Sequence, residues 1–372
     1  MKLPPVPAPL VEKILRAILP QPTAPFHEHR IRAAIRGLLT EASIPAGMDA
    51  YGNLYARYKH GAARPISYLA HMDHPGLEIT RVLDKQALAR WNGQTPTFDL
   101  KGKHVMLWSD TSAGRRGRAT IIDGDGRRPR GKNDRIRLHV PDGTKAGDFG
   151  YADLTPLKFR KGKIISKALD NVAGCAAIAA ALIHLKKNRL PGDVLGLFTR
   201  AEEVGFHGTF GAIEKETAPR SRPIIVLECS KELPGAVMGA GPVLRVGDRL
   251  RIFDADLLYS CELAARKISK SHKNFRYQRR LMDGGACEAS AFALAGYRAI
   301  CLAFPLGNYH NIGPRGPAPE FIAHSDFVNG ITCLAGFAAL GVDPAGSSKQ
   351  LAARLKKRFS LKDKKRLKAT AA

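Results

Sequence analysis

The segment Leu197-Phe-Thr-Arg-Ala-Glu-Glu-Val-Gly-Phe-His-Gly208 decides how the rest of the chain is read. A short apolar run, Val194 to Phe198, delivers two adjacent carboxylates, Glu202 and Glu203, just past its end. Like charges side by side at the carboxyl end of a buried strand are costly to desolvate unless a cation or a proton intervenes. A metal ion is the simplest remedy. The two side chains leave the backbone in different directions, so one can bind an ion while the other faces the water that the ion activates. Gly205 and Gly208 permit a tight turn directly afterwards. Taken alone, the pair also fits the opening turn of an ordinary helix, where the dipole favours acids.

Outward from this segment, chemistry-bearing residues recur at strand ends. Ile66-Ser-Tyr-Leu-Ala-His-Met-Asp-His-Pro-Gly76 reads as a buried strand that places His71 and Asp73 at its carboxyl end, where open α/β sheets build their sites. Residues two apart on extended chain share a face, so Asp73 is positioned to fix the tautomer of a ligating His71. His74 is a weaker candidate. Lys163-Ile-Ile-Ser-Lys-Ala-Leu-Asp170 leads into an Ala-rich helix, and Asp170 at its start could cap that helix or bridge two ions with its two oxygens. Pro223–Glu228 is another apolar run ending in an acid. Arg298–Pro305 leads to Gly307-Asn-Tyr-His310, so His310 also emerges at a strand end. Helices are predicted at Leu10–Leu19, His27–Ala42, Asp254–Lys267, Ala286–Ala295 and near Phe321–Leu340 from apolar spacing.

The texture changes between about Gly76 and Lys163, where short β-rich runs alternate with Gly-, Asp- and Arg-rich turns. This predicts an inserted β domain. It carries Arg115, Arg116, Arg118, Arg127, Arg128, Arg130, Lys132, Arg135 and Arg137, a run that reads first as a solvated face. The chain of 372 residues has a formal charge of +26, which points to attraction for polyanions and not to a particular chemistry. Much of that charge lies in the tail, Lys349–Ala372, where ten Lys or Arg face one Asp for a net +9. Leu351, Leu355 and Phe359 make a marginal amphipathic helix there, within an extension whose composition reads as solvated. Six cysteines without C-x-x-C spacing argue against a zinc ribbon or a secreted disulfide framework. No apolar run approaches the ~20 residues of a membrane helix, and the proline-broken N-terminus lacks a signal pattern. A cytoplasmic protein is expected.

His71, Asp170, Glu203, Glu228 and His310 supply two imidazoles and three carboxylates, a set suited to a pair of divalent ions sharing one bridging acid. Glu202 is left over as the base. Zn²⁺ is the expected metal, with Co²⁺ or Mn²⁺ as alternatives, and a water held between the ions is the expected nucleophile.

With Ala70-His-Met-Asp73, Lys167-Ala-Leu-Asp-Asn171 followed by Gly174-Cys175, Phe198-Thr with Glu202-Glu-Val-Gly205, Gly241-Pro-Val-Leu-Arg-Val with Asp248, Tyr277-Gln278 and His310, the sequence resembles the glutamyl and tetrahedral aminopeptidases. These are dinuclear-metal exopeptidases of the superfamily that also holds zinc carboxypeptidases and aminoacylases. The resemblance spans the chain to about residue 340. It implies that His71, Asp170 and Glu228 hold one ion, that Asp170, Glu203 and His310 hold the other, and that Glu202 is the general base. It also implies short peptide substrates and a homo-oligomer. The insertion lies between His71 and Asp170, as in the aminopeptidase branch. Departures include Glu228 where Asp is usual, Gly285-Ala-Cys-Glu-Ala in place of a Gly-Thr-Asp-Ala-like segment, and Asn311-Ile-Gly after His310.

The expected architecture is therefore α/β. A three-layer α/β/α sandwich catalytic domain occupies residues 1–76 and 164–345, a small β-barrel-like domain is inserted at 77–163, and 346–372 is a flexible basic tail. Glu288 is expected in an anionic pocket that receives the substrate ammonium. Two other readings compete: a carboxypeptidase or N-deacylase of the same superfamily, and a basic nucleic-acid-binding protein on a peptidase scaffold.

Overall fold

Strands buried on both faces read as continuous apolar runs without alternation, and four such runs form the parallel heart of the sheet. The computed structural model describes residues 3–94, 96, 99–111, 114–124 and 136–371. From one edge, the eight strands run Ala46–Met48, Leu54–His60, Gly192–Thr199, Pro65–His71, Ile224–Lys231, Ala299–Leu306, Val243–Arg245 and Gln278–Arg280. The third to sixth are parallel to one another. Their register puts Thr199 opposite His71 and Glu228 opposite Ala303, so the carboxyl ends carrying the candidate residues open on one side of the sheet.

Helices cover both faces. Val172–Lys187 packs on the Pro65–His71 strand and is itself flanked by His324–Leu340 and by Ala8–Ile18. Its residues from Val172 to Leu185 are all buried, which explains the run of alanines: small side chains let the helix lie close to the sheet. The approach is close at Gly196, where a Cβ would sit 2.9 Å from Leu182 and 3.1 Å from Ile178. On the opposite face lie His207–Glu214 and Glu288–Leu294. The result is a three-layer α/β/α sandwich.

Strands Gly76–Leu83, Gln86–Asn92, His104–Trp108, Arg115–Asp123, Ile136–His139 and Phe149–Ala152 close into a barrel with its own apolar core around Leu77, Ile79, Leu107, Ile121 and Leu138. After the barrel, Lys163–Ser166 pairs with Glu320–Ala323 and so rejoins the catalytic body. Of the basic run noted above, Arg127, Arg128, Arg130, Lys132 and Arg135 lie outside the described residues. The segment expected to be helical from Phe321 begins instead as the strand Glu320–Ala323, and the helix starts at His324. The tail carries two further helices, Pro344–Lys356 and Leu361–Ala369, the second capped by Ser360. Among the described residues no single helix is long and apolar enough to cross a membrane.

Candidate active site

The aligned strand ends bring the candidates together. His71 Nε2 lies 3.6 Å from Asp170 Oδ1 and 3.7 Å from Glu228 Oε1. His310 Nε2 lies 3.4 Å from Asp170 Oδ2 and 3.2 Å from Glu203 Oε1. Asp170 thus turns one oxygen to each imidazole. Its side chain makes no capping bond to the helix that follows, whose N-cap is Asn171. Ligand atoms of His71, Asp170 and Glu228 fall within 4.8 Å of one another, as do those of Asp170, Glu203 and His310. Glu202 stands beside both groups, with Oε2 3.8 Å from His71 Nε2. It lies in the turn before the His207–Glu214 helix and not in that helix.

Electrostatics asks for a cation here. Four carboxylates, from Asp170, Glu202, Glu203 and Glu228, surround two imidazoles in a cleft of about 540 Å³. Burial pushes the pKa values of Glu202 and Glu228 well up, and neighbouring carboxylates push the same way. The two imidazoles are raised: burial disfavours their charge, but the acids around them outweigh it. Burial also disfavours the Asp170 carboxylate, yet His310 and His71 hold its pKa well below the usual range. Among the described residues, Asp170 Oδ1 and Glu203 Oε1 are buried with no hydrogen-bond partner. Unpaired buried carboxylate oxygens aimed at the same spaces as two imidazoles are a donor set that fits divalent ions.

Neighbouring residues hold this set in place. The Asp73 carboxylate accepts from the main-chain N–H of Glu202 at 3.0 Å and of Glu203 at 3.1 Å, so it orients both acids. His71 Nδ1 is closer to the Asp73 carbonyl, at 3.1 Å, than to its carboxylate, at 3.5 Å. Glu28, fully buried, accepts from Ala201 N–H and from Arg200 Nε, fixing the same turn from behind. His74 does not join the cluster. Its Nδ1 meets the Asp170 carbonyl and its Nε2 the Asn311 amide oxygen.

Sequence reasoning passed over Glu320. Its Oε2 accepts from Leu169 and Asp170 N–H at 2.6 and 3.0 Å, and its Oε1 from His310 N–H at 2.8 Å. His310 has a left-handed backbone, φ 54°, between Asn308 at 55° and Asn311 at 60°. That region is costly for any residue with a Cβ, and the Glu320 bond helps to hold His310 there. Glu288 corrects an expectation: at 0 % exposure, with its Oε1 accepting from both the Thr199 and Thr209 hydroxyls, it is sealed away from the cleft and cannot meet a substrate ammonium.

The profile of the family described as M42 glutamyl aminopeptidase matches residues 139–313, which include Asp170, Glu202, Glu203, Glu228 and His310. A protein of Acetivibrio thermocellus named as a candidate aminopeptidase is 26% identical over 311 residues, 77% of this chain and 87% of that one. Over residues 139–313 the chain is similar to the glutamyl aminopeptidase family. It is a hydrolytic enzyme of the aminopeptidase type. Solved structures share the fold. The TET aminopeptidase of a marine-sediment Thaumarchaeota archaeon superposes with a TM-score of 0.76 at 18% identity, covering 91% of this chain and 99% of that one. An aminopeptidase of Desulfurococcus kamchatkensis gives 0.74 at 20%, covering 91% and 97%. A TET peptidase of Pyrococcus horikoshii, which can assemble into a tetrahedron or a large octahedral shell, gives 0.73 at 22%, covering 88% and 99%.

Proposed function

We propose that this protein is a dinuclear-metal aminopeptidase that removes N-terminal residues from short peptides, with Glu202 as general base. The observation that carries the reading is Asp170, whose two oxygens each face a different imidazole-carboxylate group. His71, Asp170 and Glu228 would hold one ion, and Asp170, Glu203 and His310 the other. Zn²⁺ suits this nitrogen and oxygen set best, with Co²⁺ or Mn²⁺ as alternatives. When bound, such a pair polarises the scissile carbonyl and lowers the pKa of water toward neutrality. Glu202, the cleft acid not needed for either ligand set, takes the proton from the attacking water. It then gives that proton to the departing amine as the C–N bond breaks. Asp73 keeps Glu202 and Glu203 in their separate orientations through their main-chain N–H groups.

Six free, buried cysteines fit a reducing, cytoplasmic setting. Assembly into a homo-oligomer is proposed by likeness to the TET relatives. One observation favours the carboxypeptidase or deacylase alternative: Lys231 and Arg245 also line the cleft and would attract a substrate carboxylate. Both readings are tested by giving the metal-loaded protein a dipeptide, its N-acetyl form and its C-terminal amide, with chelator controls. The aminopeptidase cleaves the free dipeptide and the amide but not the N-acetyl compound. Hydrolysis of the N-acetyl compound as fast as the free dipeptide rejects it. In the same assay Glu202→Gln should lose about 10²–10⁴-fold in rate while keeping its metal. Near-normal turnover by that variant removes Glu202 from the role of base.

A further inference from the structure

A ligating imidazole offers a metal the lone pair of one nitrogen, and the group that hydrogen-bonds the other nitrogen decides which tautomer is present. His71 has this group beside it in sequence, the Asp73 carbonyl. His310 does not. Its ring plane is set by Tyr309, stacked at 3.7 Å between centroids, and its main chain by Glu320. Its Nδ1 meets the side-chain oxygen of Gln94 at 2.9 Å, and among the described residues that is its one hydrogen-bond partner.

Gln94 comes from the inserted barrel, 216 residues away in sequence. The strand Gln86–Asn92 ends at the barrel rim, Gly93 turns the chain at φ 96°, and the Gln94 carbonyl accepts from the Trp91 indole N–H at 3.1 Å. Trp91 is itself rooted in the barrel core. The amide therefore stands on a braced turn at the edge of the cleft. Its oxygen accepts Nδ1–H, which leaves the lone pair on Nε2, the nitrogen facing Asp170 and Glu203.

We propose that Gln94 is a positioning residue by which the inserted barrel fixes the tautomer of His310 and thereby sets the affinity of the ion site formed by Asp170, Glu203 and His310. The site at His71, Asp170 and Glu228 has no such dependence. The barrel is then a working part of one metal site and not only a covering domain.

This inference rests on the two-ion reading, and the experiment separates the two. Metal-stripped protein is titrated with Zn²⁺ against a chromophoric chelator. In Gln94→Ala one of the two binding constants should weaken about 10- to 100-fold, the range typical for removing the hydrogen-bond partner of a ligand, while the other holds within about twofold. Gln94→Glu, which keeps an acceptor, should restore it. Gln94→Lys, which offers only donors, should bind as weakly as Gln94→Ala or worse. In a His310→Ala background, Gln94→Ala should change nothing further. The positioning role is overturned by unchanged constants in Gln94→Ala, by both constants shifting together, by Gln94→Lys binding like wild type, or by Gln94→Glu failing as Gln94→Ala does. Wild-type protein that binds fewer than two ions refutes the two-ion reading itself. Because Gln94 is exposed, none of these variants should disturb folding, which circular dichroism of the metal-free proteins checks.

Discussion

Replacing Glu320 with Gln asks how much of the site depends on one buried carboxylate. The side chain is 0 % exposed and accepts three main-chain N–H groups, from Leu169, Asp170 and His310. A glutamine has one acceptor oxygen. Its better orientation keeps that oxygen on Leu169 and Asp170 and turns the amide NH₂ toward His310 N–H, setting donor against donor. One buried donor left unpaired costs about 1–3 kcal/mol, which for a chain of this size lowers Tm by roughly 1–4 °C. Glu320→Ala leaves all three donors unpaired, and even with water in the vacated space the loss should be about 3–6 kcal/mol. Because the freed N–H groups belong to Asp170 and His310, the metal sites should weaken along with the fold. Differential scanning calorimetry with and without chelator, paired with metal analysis, reads both effects. A Glu320→Gln protein with the same Tm as wild type and its full metal content would refute the clamp.

Two further outcomes are expected. His27 joins the catalytic body to the barrel, with Nδ1 2.7 Å from Asp110 and Nε2 3.4 Å from Glu78. Burial disfavours its charge, but the two acids outweigh burial and its pKa is raised. A raised imidazole pKa gives stability that is complete below the unfolded value of about 6.5 and lost as pH rises through the folded value. The Tm advantage of wild type over His27→Gln should therefore shrink as pH rises above about 6.5. Asp110 is depressed and loses its share only in acid, well below this window, so a difference independent of pH would exclude the ion pair. The exposed, basic helices Pro344–Lys356 and Leu361–Ala369 should bind polyanions apart from the chemistry. Deleting the chain after Ser348 should leave the peptidase rate intact and shift elution from heparin to lower salt. Unchanged elution moves any polyanion site elsewhere.

The site was legible in sequence because of how parallel sheets are built. Val194–Phe198 and Ile224–Leu227 are continuous apolar runs, and acids just beyond such runs must gather where the carboxyl ends of the strands align. His71 and His310 follow the same logic. Glu320 and Gln94 were not legible, since each acts across a distance in sequence that periodicity does not span. Glu320 carries no signal of its own in sequence, because its role depends on the backbone of two other segments. Glu288 misled for the opposite reason: an acid near the site in sequence looked available, but two threonine hydroxyls from separate segments enclose it. The tail's helices draw on local propensity and capping at Ser360, signals that a strong charge run obscures in composition.

The barrel enters and leaves the catalytic body through neighbouring strands, with Leu77 paired to Gly150. This bears on how the chain assembles. His71 and Asp170 are separated by roughly a hundred residues, but once the barrel has closed, the loop joining them shortens in effect to about two dozen. The entropic penalty for bringing those two residues together then falls by roughly 1 kcal/mol. A prefolded barrel acts as a buckle, drawing together the two sides of the cleft although it contributes none of the proposed ligands.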